Sequence, residues 1–335
     1  MSFGFVVLLG LHDVRARLFS NPWVHDDHHV SDVLRWKFGR VPKDPPSGAP
    51  DTPAATVPMV LESSPARGWR VTWLGHSSFL LQGGGRNLLV DPVFSEHCAP
   101  LPLPSLKRAV PTPCRLDELP PIDAVLVTHS HYDHLDLPTL QVMAKRVPLL
   151  IAEGHAGWLQ RKGFTEVREL PWFDSVEVFP GLRVTATPAQ HFTARTPFDR
   201  NRGHWCGWLL ECGGVKLWHA GDSGYCPAFR EIGERFGPID FGMIPIGAYS
   251  PRWFMKPMHM NPEEAVTVFE ETRCRRAVAM HWGTFRLTDE PLGEPPLRLA
   301  AQLEEKDISA DRFIIGAIGQ SWNVPGTSPS ASPLT

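Results

Sequence analysis

The segment Thr128-His129-Ser130-His131-Tyr132-Asp133-His134 constrains this chain more than any other. It follows Ala124-Val125-Leu126-Val127, a short apolar run that reads as a buried strand. A strand end can hand its last residues to a loop that aims several side chains inward. The spacing His-x-His-x-Asp-His sets four ligand-type groups in six residues. Imidazole nitrogen and carboxylate oxygen are the usual donors for zinc. A single histidine is more often a surface or hydrogen-bonded core residue, but four such groups at this spacing point to metal.

One loop does not close two metal sites, so further ligands must come from elsewhere. Three candidates stand after apolar runs: His191 after Thr185–Thr187, Asp222 after Leu217–Ala220, and His281 after Ala277–Met280. A polar side chain buried at a strand end needs a partner. Taken alone, each is as readily a satisfied core residue, and Asp222, between Gly221 and Gly224, reads equally as a turn. With the first cluster they make seven ligands, His129, His131, Asp133, His134, His191, Asp222 and His281, a set that suits two metals and a shared bridge.

Around these residues β-rich runs recur: Trp69–Leu74, Ser78–Gln82, Asn87–Val90, Ala124–Thr128, Leu182–Thr187, Gly207–Leu210, Val215–Ala220, Phe241–Ile244 and Arg276–Met280. Helical patterns cover Pro138–Arg146, Ala156–Lys162, Pro227–Phe236 and Pro262–Thr272. The last has a capping signature, with Asn261 as cap, Pro262 at the first position and Glu264 reaching back. This order predicts an α/β chain, two packed sheets with helices outside in an αββα sandwich. Residues 42–65 are proline-rich and read as an extended arm. The predicted organisation is an N-terminal segment with this arm over 1–65, one folded domain over 66–322, and a disordered Pro/Ser/Thr-rich tail over 323–335.

The 335 residues are enough for a sizeable core. A net charge of -3 shows no global basic field, so no nucleic-acid partner is expected. Six cysteines without a CxxC pair favour a reducing, cytoplasmic setting. The apolar run Phe3–Leu11 has nine residues, short of the roughly 20 that a membrane span needs. With Phe19 and Trp23 nearby, it reads as a buried segment or a shallow peripheral membrane contact. The cluster His25, Asp26, Asp27, His28 and His29 reads as a solvated segment rather than a further metal site.

The pattern His-x-His-x-Asp-His followed by distant His, Asp and His resembles the metallo-β-lactamase superfamily. Within it, residues 69–322 are similar to N-acyl-phosphatidylethanolamine-hydrolysing phospholipases D. The resemblance is carried by Trp73-Leu74-Gly75-His76, Asp91-Pro92-Val93-Phe94, Glu118–Asp123, Thr128–Asp136, Gly221–Phe229, Ile244–Tyr249, Pro251–Lys256 and His281–Phe285. It implies that His129, His131 and His191 hold one metal, that Asp133, His134 and His281 hold the other, and that Asp222 bridges. The implied cofactors are two zinc ions, with manganese or iron as alternatives. A bridging metal-bound hydroxide would attack a phosphodiester, releasing N-acylethanolamine and phosphatidic acid, so that Asp133 and Asp222 are catalytic as well as ligands. His259 would orient substrate or act as an acid. Arg252 and Lys256 would meet a lipid phosphate, and Trp253 and Phe254 would line an acyl groove or pack the core. For His76 a structural role is expected. The implied partners are a phospholipid-like substrate, a peripheral membrane surface and a second copy in a homodimer.

Other readings separate on the residues. A hydrolase of another ester, such as a sugar lactone, would use the same ligands, and the tryptophan- and proline-containing runs favour the lipid. Diiron redox relatives carry Glu where this chain has His131. A nuclease would show a basic patch, and a metal-storage scaffold would not need all seven ligands.

Overall fold

The computed structural model describes residues 18–326, apart from 24, 27, 29, 40, 42 and 144. Phe3–Leu11, Asp27, His29 and the tail beyond 326 lie outside the described residues.

The strands are β1 (Trp69–Gly75), β2 (Ser78–Gly83), β3 (Arg86–Val90), β4 (Ala124–Val127), β5 (Leu149–Ala152), β6 (Val167–Leu170), β7 (Ser175–Phe179), β8 (Leu182–Thr187), β9 (Gly207–Cys212), β10 (Val215–His219), β11 (Ile239–Pro245), β12 (Cys274–Met280), β13 (Phe313–Ile314) and β14 (Ser321–Val324). Among the described residues they form two seven-stranded sheets, ordered β14-β1-β2-β3-β4-β5-β6 and β13-β12-β11-β10-β9-β8-β7. Both are mixed. In the first, β14 through β3 pair antiparallel and β3 through β6 parallel. In the second, β7 through β10 pair antiparallel and β10 through β13 parallel.

Side-chain alternation explains why the sheets stack. In β2 to β4, Phe79, Leu81, Leu88, Val90, Ala124 and Leu126 enter the core between the sheets. Their neighbours Leu80, Leu89, Val125 and Val127 face outward. There they meet Leu140 of the helix Leu137–Met143 and Leu159 of the helix Ala156–Arg161. A strand covered on both faces reads as a continuous apolar run, as Ala124–Val127 does. The second sheet is covered by the helices Ala228–Phe236 and Pro262–Glu271, through Phe229, Ile232, Val266 and Phe269. The result is the expected αββα sandwich. The Asn261 cap is in place: its side chain accepts from Glu264 N at 2.9 Å, and Glu264 takes the Asn261 N–H at 3.1 Å.

Several elements escaped the sequence pattern. Strand β13 has two residues, and β6 is an exposed edge with only Leu170 buried. The helix Glu294–Glu305 begins with Pro295 and Pro296, which look like breakers but are tolerated in a first turn. Strand β14 pairs with β1 as far as Trp69↔Val324, so the sheet runs past residue 322, the expected edge of the domain.

The N-terminal segment is also more closely held than expected. The arm is pinned by Ala54 N–H to the Gly283 carbonyl at 3.0 Å and Val57 N–H to the Ile318 carbonyl at 2.8 Å. Gly283, at φ 64°, makes this possible, since a Cβ there would sit 2.6 Å from Ala54 N. Nearer the start, Trp23 stacks on Trp172 at 5.6 Å, and the helix Val30–Phe38 lays Trp36 on Phe254 at 5.3 Å. The expectation of a solvated His25–His29 cluster is corrected in part. His25 Nδ1 bonds the Trp23 carbonyl at 2.7 Å, and His28 stacks on Phe254 at 4.7 Å.

Candidate metal centre

The site collects at one kind of place. Strands β1, β3 and β4 run in one direction within their sheet, and β8, β10, β11 and β12 share a direction in the other. His76 follows β1, Asp91 follows β3, and His129–His134 follow β4. His191 follows β8, Asp222 follows β10, and His281 follows β12. Carboxyl ends of parallel strands are where α/β sheets place ligands. Three of these exits are conformationally unusual: His76, Asp91 and His281 have φ of 52°, 43° and 61°. Such left-handed residues cost of order 1–3 kcal/mol each and persist where the surroundings over-determine them. Gly221, at φ 66°, lets the chain pass Cys206, whose carbonyl would lie 2.5 Å from a Cβ.

The seven predicted ligand residues come together, and His76 and His259 join them. His129 Nε2 and His191 Nε2 both face His131 Nδ1, at 2.9 and 3.1 Å. His191 Nδ1 donates to the Met258 carbonyl at 2.9 Å, which leaves its Nε2 as a lone pair. A second group joins His76, Asp133, His134 and His281. Between the groups lies Asp222. Its Oδ2 is 3.1 Å from His134 Nε2 and 3.0 Å from His281 Nε2. The same oxygen is 3.9 Å from the Nε2 of both His129 and His191, and 4.0 Å from His259 Nδ1.

Protonation follows this layout. Burial pushes His131 down to about 4 and His191 down to about 3, so both are neutral at pH 7. Burial also depresses His281, but Asp222 and Asp133 more than reverse it, to about 9. Burial would raise the Asp222 carboxyl, yet His134 and His281 hold it well below the usual carboxylate range.

These residues fit metal ions. His134 Nε2, His281 Nε2, Asp222 Oδ1 and His259 Nδ1 are buried without a hydrogen-bond partner. Buried polar atoms are rarely left so, and an ion is one of the explanations. Converging lone pairs on His129, His131 and His191 repel one another unless a cation lies between them. The donor set of imidazoles and carboxylates without thiolate is that of hydrolytic sites.

Two residues gain roles that the sequence reading did not assign. Asp91 accepts from Thr128 N at 2.7 Å, from Thr128 Oγ1 at 2.6 Å, and from His134 Nδ1 at 2.6 Å. It thereby fixes the His134 tautomer and turns Nε2 toward the cluster, as carboxylates behind metal-binding imidazoles do. His76, expected to be structural, donates from Nε2 to Asp133 Oδ2 at 2.9 Å. Both residues stood in quoted motif runs, but only their neighbours in space reveal the function.

The substrate candidates fare differently. The Arg252 guanidinium is spent on the His259 carbonyl at 2.9 Å and on both Glu264 oxygens at 3.0 and 2.9 Å, so it is not free for a lipid phosphate. Phe254 is buried under Trp36 and His28. Trp253 is half-buried beside it, with Arg35 5.4 Å from its ring, and Lys256 is exposed. Both aromatics therefore serve packing against the N-terminal helix. Among the described residues, no helix is long and apolar enough to cross a membrane.

Residues 86–282 match the β-lactamase superfamily domain. The chain is 36% identical over 265 residues to N-acyl-phosphatidylethanolamine-hydrolyzing phospholipase D 1 of Caenorhabditis elegans, covering 75% of this chain and 74% of the relative. It is 36% identical over 236 residues to the mitochondrial N-acyl-phosphatidylethanolamine-hydrolyzing phospholipase D of Saccharomyces cerevisiae, covering 68% of this chain and 50% of that protein. Among solved structures, a metallo hydrolase from the archaeon Ignicoccus hospitalis superposes with a TM-score of 0.58 at 22% identity, over 76% of this chain and 97% of that one. The chain therefore belongs to the β-lactamase superfamily and is a metal-dependent hydrolase of the metallo-β-lactamase fold.

Proposed function

We propose that this hydrolase is a binuclear phosphodiesterase of the phospholipase D type, acting on N-acyl phosphatidylethanolamine. The observation that carries the reading is the Asp222 carboxylate, whose Oδ2 lies within 3.9 Å of imidazoles from both groups. One ion would be held by His129, His131 and His191, a second by Asp133, His134 and His281, with Asp222 shared. Bound there, two zinc ions would supply Lewis acidity toward the phosphoryl oxygens and lower the pKa of water to about 7. The relatives named N-acyl-phosphatidylethanolamine-hydrolyzing phospholipases D support the substrate class.

The reaction adds water across a P–O bond. The water oxygen ends on phosphatidic acid, and the proton ends on the departing N-acylethanolamine oxygen. Asp91 and His76 orient His134 and Asp133 for this step. His259, held neutral by burial, offers an N–H to orient the substrate rather than a charged acid. The same reading carries a peripheral contact with the lipid surface: the helix Val30–Phe38 exposes Leu34 by 54% and Phe38 by 84% beside the segment that bears His259.

The test is hydrolysis of N-acyl-phosphatidylethanolamine by purified protein, with and without chelator, following N-acylethanolamine by mass spectrometry. Chelator-sensitive release is the expected result. A folded, metal-replete sample that releases none would overturn the lipid reading, and turnover of a lactone in its place would move the activity to another ester.

A further inference from the structure

A cavity of about 420 Å³ lies against Ser130, lined by Arg161, Arg195 and Arg202 with Trp158 and Gly203. It includes none of the residues that cluster around Asp222. Arg195 is half-buried, and its Nη1 donates to the carbonyls of Ser130 at 2.8 Å and Leu135 at 2.9 Å. Its guanidinium lies 3.9 Å from the Tyr132 ring and 5.3 Å from the Trp158 ring. Both carbonyl acceptors are neutral, so the charge is balanced only from beyond contact distance, by the Asp136 and Asp199 carboxylates. Among the described residues, Arg161, Arg195 and Arg202 form no ion pair. The one carboxylate in the wall is Asp199, whose Oδ1 is committed to the backbone N–H of Arg195 at 2.9 Å and Thr196 at 2.8 Å. Three arginines against one aspartate thus line a concave site with an indole wall, and a cleft with a net positive lining concentrates anions. Guanidinium groups favour phosphate through paired, charge-assisted donors.

We propose that this cavity binds a phosphomonoester dianion at a site separate from the metal centre. Its occupant is coupled to that centre through Arg195, because the Ser130 carbonyl that Arg195 holds belongs to the residue between His129 and His131. The dianion has two sources, a soluble phosphomonoester or the headgroup of phosphatidic acid. The site rests on geometry and charge and does not depend on the lipid-hydrolysis reading.

Calorimetric titration of the metal-loaded protein with glycerol 3-phosphate, beside the Arg161→Ala/Arg202→Ala double variant, tests it. Anions also reach the metal centre, so the readout is the difference between the two proteins. Loss of two charge-assisted contacts is expected to weaken the affinity at least about tenfold. A parallel arm measures co-sedimentation with phosphatidylcholine vesicles with and without phosphatidic acid. A difference confined to glycerol 3-phosphate assigns a soluble ligand, and one confined to phosphatidic acid vesicles assigns the headgroup. Identical binding by both proteins in both arms overturns the site. A fall in bound metal in the double variant overturns its separateness from the centre.

Discussion

Two regions flank the Asp222 carboxylate and differ in how they treat charge. At the clustered strand ends, polar side chains converge without satisfying every atom, leaving His134 Nε2 and Asp222 Oδ1 without partners. Around Arg252, charge is consumed within the scaffold. Arg252 pairs with Glu264, and Asp44 caps the turn through Ser250 Oγ at 2.7 Å and Arg252 N at 3.0 Å. Unsatisfied buried groups mark where a ligand belongs, and satisfied ones mark what holds the scaffold.

This contrast is most exposed by replacing the shared carboxylate. Asp222→Asn keeps the shape and removes the charge; kcat is expected to fall by on the order of 10³ or more, as for loss of a principal electrostatic contact. Metal content by elemental analysis should drop with it, while circular dichroism stays unchanged. Near-normal turnover would remove Asp222 from the bridging role. Asp91→Asn works one step further out. With the His134 tautomer no longer fixed, metal affinity should weaken by about 10–100-fold, measured by competition with a chromophoric chelator.

Arg252→Ala probes the opposite region. Stripping a half-buried partner from Glu264 should cost about 2 kcal/mol of stability, read by denaturant titration, with KM little changed. A raised KM with unchanged stability would return Arg252 to the substrate phosphate. The smallest and broadest effect is pH. His76, His131 and His191 have folded values of about 3, 4 and 3, below the unfolded value of 6.5. The unfolded chain therefore binds more protons, and stability falls as pH drops from 6.5 toward 4. His281, at about 9, has the opposite sign: its contribution is full below 6.5 and is lost as pH rises through 9. Metal-free protein should therefore be most stable near pH 6.5, and thermal scans after metal loading should lose the alkaline limb, because the ion replaces the proton.

Much of the centre was legible because its signals are local. The run Ala124–Val127 is apolar on both faces, and the ligand spacing behind it is a property of adjacent residues. His191, Asp222 and His281 were legible as polar residues ending apolar strands. Asp91 was not, since its three hydrogen bonds reach Thr128 and His134, 37 and 43 residues away. The Arg252–Glu264 pair was not legible for the same reason, because Glu264 was assigned only to the cap of a helix. Edge strands such as β6 lack alternation, so their pairing partner rather than their composition makes them strands.

The sequence by itself determined the ligand types, their strand-end positions and the αββα class, since side-chain chemistry and hydrophobic period are written residue by residue. Tertiary structure alone decided which carboxylate sets the His134 tautomer, and which arginines stay without an ion pair around the cavity at Ser130. Those outcomes depend on distances between segments far apart in the chain, and a buried charge acquires its role from whatever the fold places within hydrogen-bonding reach.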